Sequence, residues 1–368
     1  MSKWKKVIWS EVVEIKNGRN HKAVENIDGQ YPIYGSGGVM GYANDYLCEE
    51  DSVIIGRKGN INKPIYVSEK FWNVDTAFGL KGKQNMLLSK YLYYFCIKFN
   101  FERLNTTVTI PSLTKSNLLN IEIPLPPIET QKKIAITVDN VAELLAMRKQ
   151  QLAELDNLIK STFYKMFGDP VSNSHGWPVK RIGDFSYVTK LAGFEYTKYF
   201  SYKNKGEVVV IKGLNVKERK LKLDTVSYID KSISDLLPRS KLFTNDIVMT
   251  YIGINIGDVA IIEGGNNYHL APNVAKITVK CLDEYNPYFL VNLLYYCRNF
   301  FAGGATNTAK QALNMERIRS IPVITPPFTL QTEFARVYTK IEEQKALVQK
   351  ALDETQYLFD SLMSEYFD

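Results

Sequence analysis

The chain has 368 residues, a formal net charge of +7, 45% hydrophobic residues and 23% charged residues. This length exceeds one ordinary core and suits two domains with connecting elements, and the composition excludes extensive disorder. No apolar run reaches the roughly 18 residues of a membrane span. The start, MSKWKKVIWSEV, lacks the apolar core of a signal peptide, and the cysteines show no CxxC spacing, so we expect a cytoplasmic protein without a membrane partner.

Positive charge is concentrated in two stretches. Residues 1–127 hold 16 Lys and Arg against 12 Asp and Glu, and residues 170–325 hold 20 against 13. Residues 128–169 hold 6 of each, and residues 326–368 hold 4 against 8. A surplus confined to two stretches favours an anionic partner such as double-stranded DNA. Solvated lysines on an ordinary cytosolic protein would give the same net charge, so charge alone leaves both interpretations open.

The first stretch, residues 1–127, has the pattern of a mixed, strand-rich domain. SVIIGRKGNINKPIYV (52–67) is rich in β-branched residues and interrupted by Gly and Asn, which predicts short strands and turns. SKYLYYFCIKF (89–99) predicts a buried helix. We assign its aromatic residues to the core, because a base-stacking platform needs exposed rings.

A long helix is predicted after Pro126 and Pro127, over residues 128–168. Its seam residues recur in alternating steps of four and three, which is the heptad pattern of a coiled coil. The seam positions are Ile134, Val138, Val141, Leu145, Arg148, Leu152, Leu155, Ile159, Thr162 and Met166. About 40 helical residues at roughly 1.5 Å each give a rod on the order of 60 Å, which is too long to bury in one domain. The alternative is a helix that simply caps its own domain.

Residues 169–325 and 326–368 repeat this domain and this helix. A shift of 200 residues aligns IEIPLPPIETQKKIA (121–135) with IPVITPPFTLQTEFA (321–335), and a shift of 195 places residues 52–67 over 247–262, both without a gap. PYFLVNLLYYCRNFF (287–301) predicts the second buried helix. The second seam is Phe334, Tyr338, Ile341, Lys345, Val348, Leu352, Thr355, Phe359, Leu362 and Tyr366. We therefore expect two similar α+β domains joined by two long antiparallel coiled-coil helices with approximate two-fold symmetry.

Candidate DNA contacts lie in polar segments of each domain. In the first domain they are Arg19, Lys22, Arg57, Lys58, Asn60, Asn62, Lys63, Thr106, Thr107, Thr109, Ser112 and Lys115. In the second they are Lys190, Tyr196, Lys198, Tyr251, Asn255, Thr306, Asn307, Thr308, Lys310 and Gln311. Arg can bridge guanine acceptors, Asn can pair with adenine, and glycines let the backbone approach a phosphate. TYIGINIGD (250–258) lacks the basic pair of GRKGNINK (56–63), so the domains should read different bases. Ordinary solvated loops are the alternative.

The repeated motifs resemble those of the specificity subunits of type I restriction-modification enzymes. The resemblance rests on Ile123–Pro127, Gln131–Ala135 and Lys165–Asp169 and on their repeats Ile321–Pro327, Gln331–Ala335 and Tyr366–Asp368. It implies two target-recognition domains (1–127 and 169–325) and two conserved spacer helices (128–168 and 326–368). It also implies methyltransferase and restriction subunits as partners, with S-adenosylmethionine, ATP and Mg²⁺ bound by those partners. The sequence departs from the family pattern at one point. The segment that ends the second domain is IPVITPP, whereas the segment that ends the first is IPLPP.

Motifs for catalysis are missing from the sequence. The glycine-rich segment GSGGVMG (35–41) has neither GxGxxG nor GxxxxGK[ST] spacing, and His21, His175 and His269 are isolated. Asn286–Phe289 superficially resembles the Asn-Pro-Pro-Phe motif of adenine methyltransferases, but no glycine-rich cofactor loop after a strand accompanies it, and we assign it to the start of the buried helix. We therefore expect no catalytic site, metal or cofactor in this chain. A stand-alone nuclease or methyltransferase with a hidden site, and a coiled-coil scaffold for other proteins, remain the alternatives.

Overall fold

The computed structural model describes residues 4–104, 112–265, 267–302 and 313–368. It contains two compact units. The N-terminal unit comprises the chain up to Leu152 together with Leu347–Asp368, and the C-terminal unit comprises Ala153–Ala346. Both units combine helices with antiparallel sheet, and the predicted α+β class with a long helix after each domain is confirmed.

The N-terminal domain and its following helix consist of short strands, short helices and one long helix. In chain order the elements are β1 (Lys6–Ile8), α1 (Trp9–Val12), β2 (Val13–Asn17), β3 (Tyr31–Gly35), β4 (Gly38–Ala43), β5 (Ser52–Gly56), β6 (Ile65–Val67), β7 (Trp72–Asn73), β8 (Ala77–Gly82), α2 (Ser89–Lys98), a 3-10 turn (Phe101–Leu104), α3 (Lys115–Leu119), β9 (Glu122–Pro124) and α4 (Ile128–Phe167).

The C-terminal domain repeats this order with insertions. Its elements are β10 (Val179–Arg181), α5 (Ile182–Phe185), β11 (Ser186–Lys190), α6 (Gly193–Tyr199), β12 (Val208–Ile211), a 3-10 turn (Gly213–Asn215), β13 (Val216–Lys217), β14 (Lys220–Leu221), β15 (Ser227–Ile229), α7 (Lys231–Leu236), a 3-10 turn (Pro238–Ser240), β16 (Lys241–Leu242), β17 (Ile247–Thr250), β18 (Val259–Ile261), β19 (Asn267–Leu270), β20 (Val274–Val279), α8 (Pro287–Ala302), α9 (Met315–Arg319), β21 (Pro322–Ile324) and α10 (Phe328–Phe367).

Two sheets recur in both units, and the second has one additional strand in the C-terminal unit. A four-stranded antiparallel sheet has the order β2-β8-β5-β6 in the N-terminal unit and β11-β20-β17-β18 in the C-terminal unit. A second sheet has the order β4-β3-β7 in one unit and β15-β12-β19-β16 in the other, and each contains one parallel pair. The predicted buried helices are present as α2 and α8. In the part of the chain that the structure describes, no helix is long and apolar enough to cross a membrane.

The central strands correct the predicted repeat by one residue. The gap-free shift of 195 places Val53 on Val248. In the structure, however, Val53 and Ile55 share a core with α2, and their counterparts packed with α8 are Ile247 and Met249. Successive strand residues point to opposite faces, so a one-residue slip would exchange the two buried faces. The shift is therefore 194 in the strand, and the C-terminal unit has one extra residue in the following loop.

The long helices confirm the predicted seam. Every seam position in both helices is buried or partly buried. Within the C-terminal unit, the ring centres of Phe163 and Phe334 are 5.3 Å apart and Lys345 Nζ donates to Asp156 at 2.6 Å. The earlier residue of α4 thus meets the later residue of α10, so these segments run antiparallel. The polar seam residue Arg148 donates to a carbonyl of α10 within the N-terminal unit.

A buried glutamine attaches each long helix to the domain before it. Gln131 accepts a hydrogen bond from the Leu88 amide at 2.9 Å and donates to the carbonyls of Met86 and Pro126, both at 2.9 Å. Gln331 makes the same three types of bond in the C-terminal unit. The two side chains are 0% and 1% exposed. Each glutamine therefore fixes the start of a long helix against the loop that leads into α2 or α8.

Candidate nucleic-acid interface

One edge of the four-stranded sheet collects the predicted contacts of the N-terminal unit. Strand β2 ends and β8 begins there, with Asn17 paired to Phe78, and β5 ends beside them with Gly56 paired to Ala77. The segments that follow β2 and β5 contain Arg19 to Lys22 and Arg57 to Lys63. Because these strands end at the same edge, the sheet brings the two basic segments together on one side of the unit.

The loop after β5 presents its charged residues to solvent. Arg57, Lys58, Asn60 and Lys63 are exposed, whereas Ile61 between them is buried and anchors the loop in the core. The Arg57 amide donates to Thr76 at 2.8 Å, and its carbonyl accepts from Leu113 at 2.9 Å. These bonds fix the backbone of Arg57, and its exposed side chain has the guanidinium carbon 5.9 Å from the centre of the Phe78 ring.

Glycine is required at two points of this loop. A Cβ on Gly56 would lie 2.5 Å from the Asn60 carbonyl oxygen, and Gly59 has a φ of +78°. Side chains other than glycine are strained in that left-handed region. The predicted role of these glycines, a close backbone approach to phosphate, stays a prediction.

Three of the predicted contacts make structural bonds. The Asn62 amide donates to Asn100 at 3.2 Å and accepts from the Phe101 backbone at 2.8 Å. Lys115 Nζ donates to the Ile15 carbonyl at 2.7 Å. Ser112 is partly buried and forms a backbone bridge with Lys58. These residues hold the loop and the sheet edge together, and their contact with DNA stays a prediction.

The C-terminal unit has the corresponding sheet edge. Lys190 at the end of β11 pairs with Ala275, and the Tyr251 amide after β17 donates to Asn273 at 3.0 Å. The Tyr251 carbonyl accepts from Leu313 at 3.0 Å. This hydrogen-bond pattern makes Tyr251 the counterpart of Arg57, so the same backbone position carries different side chains in the two units.

Tyr251 packs inside the unit. It is 7% exposed, and burial raises the pKa of its hydroxyl. Lys190 is exposed, and its Nζ lies 5.7 Å from the centre of the Tyr251 ring. Of this pair, the lysine is therefore the side chain that solvent reaches.

A groove beside this edge contains two predicted contacts, Tyr196 and Asn255. Tyr202 and Lys212, which the sequence reasoning missed, line it as well. Lys212 Nζ donates to Ser227 at 2.7 Å and lies 4.1 Å from the centre of the Tyr202 ring. Burial, with a smaller contribution from Tyr196, raises the pKa of Tyr202 to about 12, so its hydroxyl is neutral at physiological pH. Lys212 could have been predicted from the sequence, because it is a basic residue directly after the buried strand VVVI.

The remaining predicted contacts are of two kinds. Arg19, Lys22 and Lys198 are exposed, and Lys198 Nζ lies 4.9 Å from the centre of the Tyr199 ring. Several others lie outside the described residues, namely Thr106, Thr107, Thr109, Thr306, Asn307, Thr308, Lys310 and Gln311.

The fold and the two sheet edges define a class: two-copy α+β proteins in which a 40-residue helix follows each copy. The chain belongs to the Type I restriction modification DNA specificity domain family, whose model matches residues 1–157 and 174–356. The predicted resemblance is therefore confirmed.

Curated relatives have low identity to this chain. A putative type I restriction enzyme specificity subunit of Haemophilus influenzae is 23% identical over 55% of this chain and 65% of its own length. The MjaVIII specificity subunit of Methanocaldococcus jannaschii is 27% identical over 61% of this chain and 57% of its own length. These two matches thus span less than two thirds of either relative. The EcoBI specificity subunit of Escherichia coli is 21% identical over 99% of this chain and 85% of its own length.

A solved structure shares the fold. The S subunit of a type I restriction-modification system from M. genitalium has a TM-score of 0.69 and 16% identity, and the match covers 100% of this chain and 96% of that chain.

Proposed function

We propose that this chain is the DNA-reading subunit of a type I restriction-modification enzyme and recognises an asymmetric, bipartite site. The observation that carries this proposal is the pair of equivalent sheet edges with unlike side chains. The N-terminal edge presents Arg57 and Lys58, whereas the C-terminal edge presents Ile252 and Asn255 after a buried Tyr251. Equivalent backbone positions with different side chains suit two half-sites of different sequence.

Partner subunits would carry out the methylation and the cleavage. This chain would recruit adenine-N6 methyltransferase subunits and restriction subunits in the cytoplasm, and those partners would bind S-adenosylmethionine, ATP and Mg²⁺. The chain itself would be non-catalytic, and its long helices would set the gap between the half-sites. Family membership supports these assignments.

Methylation mapping tests the proposed function. The chain is coexpressed with its methyltransferase subunit in a host free of DNA methylation, and N6-methyladenine is mapped by long-read sequencing. We expect one asymmetric motif with a fixed central gap. The methyltransferase subunit expressed alone is the control and should leave no motif. Copurification of the two proteins without any methylated motif would contradict the proposal and favour a protein scaffold.

Substitutions at Arg57 and Lys58 should separate base reading from phosphate binding. Arg57→Ala is expected to lower the preference for one base pair about tenfold to a hundredfold, because a bidentate contact to guanine is lost. Lys58→Ala is expected to weaken binding to all DNA sequences alike. It should also reduce the slope of log binding constant against log salt concentration by about one, because one phosphate contact is lost. Competition binding with singly substituted duplexes at several salt concentrations measures both effects. Unchanged base preferences in Arg57→Ala would remove Arg57 from the contact set.

A further inference from the structure

The extra residue of the C-terminal loop is an exposed isoleucine. In the N-terminal unit, Lys58 and Gly59 follow Arg57 and precede Asn60. In the C-terminal unit, three residues, Ile252–Ile254, stand between Tyr251 and Asn255. The shift of 194 in the preceding strand places Gly253 on Gly59, and both glycines have positive φ, at 118° and 78°. The inserted residue is therefore Ile254.

Ile254 is one of three exposed apolar residues that line the groove. It is 84% exposed, and Ile252 and Leu214 beside the same groove are 41% and 49% exposed. A single exposed apolar residue needs no explanation, but several at one groove rim indicate a binding surface. A Cβ on Gly253 would have no atom within 4 Å, so the loop tip stands clear of the protein.

Cationic and amide side chains adjoin this apolar group. Lys212 and Asn255 line the groove that Ile252 and Ile254 border, and Lys190 is exposed at the same sheet edge. A surface with lysines beside apolar side chains can bind a ligand that has both phosphates and an apolar group. In the major groove of DNA, the 5-methyl group of thymine is the apolar feature that distinguishes base pairs.

We propose that Ile254, supported by Ile252, contacts the 5-methyl group of a thymine in the half-site read by the C-terminal unit. This inference rests on the proposed function. The Lys58 position of the N-terminal loop is thus replaced by an apolar residue, and the insertion extends the loop toward the base. The C-terminal half-site is then read partly through an apolar contact, whereas the N-terminal half-site is read through polar contacts.

Replacement of thymine by 2′-deoxyuridine tests the contact, because it removes only the methyl group. The purified complex of this chain with its methyltransferase subunit is titrated with duplexes of the mapped motif in which each thymine is replaced in turn. We expect one replacement, in one half-site, to weaken binding about fourfold, as burial of one methyl group implies. Ile254→Ala should bind the two duplexes equally. Ile27→Ala, at an isoleucine 90% exposed in the N-terminal unit, is the matched control and should retain the difference.

Two results would overturn the inference while the proposed function stands. In the first, the complex binds the motif specifically but tolerates deoxyuridine at every position, as a side chain that wedges between bases would allow. In the second, one thymine methyl group matters but Ile254→Ala retains the full difference. Absence of any sequence-specific binding would instead overturn the proposed function, and the inference with it.

Discussion

Gln131→Leu is expected to lower the free energy of unfolding of the N-terminal unit by about 3 kcal/mol. Leucine has a similar volume but cannot bond the Leu88 amide or the carbonyls of Met86 and Pro126, which lie within hydrogen-bond distance of the buried glutamine. An unsatisfied buried polar group costs about 1–3 kcal/mol. The melting temperature of a unit of this size should then fall by about 6–12 °C.

Thermal unfolding followed by circular dichroism, with hydrogen exchange to locate the effect, checks this prediction. Faster exchange should appear at the start of α2 and of α4. Gln151→Leu, at an exposed position of the same helix, is the control and should change stability by less than about 0.5 kcal/mol. Gln331→Leu should act in the same way in the C-terminal unit. A Gln131→Leu protein that melts like the unsubstituted chain would show that the glutamine does not secure the helix.

The sequence predicts the long helices well because their signals are local and repeated. The Pro-Pro pairs mark both starts, and the seam spacing identifies the residues that become buried. The alignment of Gln131 with Gln331 was also visible. The reason for the alignment was not visible, since two of the three bonding partners of each glutamine lie 43 to 47 residues earlier in the chain. Contacts at such separation depend on the packed domain, which a single sequence does not specify.

The loops of the interface were less predictable. Counting residues without gaps put strand β17 one position out, because the shift is 194 in the strand and becomes 195 only after the extra residue of the following loop. We predicted Tyr251 as a DNA contact because it lies in a glycine-rich loop, yet its side chain is only 7% exposed. Side-chain direction at a strand end depends on register, which the pattern of the sequence leaves open by one residue.

The turn between β13 and β14 was not predictable from its residue types. Glu218 and Arg219 occupy its tip with φ of 50° and 72°, although such two-residue turns favour Asn and Gly. The left-handed conformation of a residue other than glycine costs on the order of 1–2 kcal/mol. Interactions of the Arg219 side chain must offset this cost.

Those interactions link the turn to α8 and to a long helix. Arg219 is 4% exposed, and its guanidinium donates to Asn292 at 3.1 Å, to the Tyr296 hydroxyl at 3.2 Å and to Asp156 at 3.2 Å. The guanidinium carbon lies 4.8 Å from the centre of the Tyr295 ring. One side chain thus holds the hairpin, the buried helix of the recognition domain and the end segment of α4 in a fixed arrangement within the C-terminal unit.

Arg219→Met is therefore expected to destabilise the C-terminal unit by about 2–3 kcal/mol. This lies below the 3–5 kcal/mol typical of a broken buried pair, because Asp156 is 50% exposed and keeps its bond to Lys345. Urea unfolding measures the change, and hydrogen exchange should show faster opening of β13, β14 and α8. Arg239→Met is the control, since that side chain is 67% exposed and its pair with Glu195 should contribute less than about 1 kcal/mol. If Arg219→Met were no more harmful than Arg239→Met, the strained turn would have to be held by its own backbone pairing.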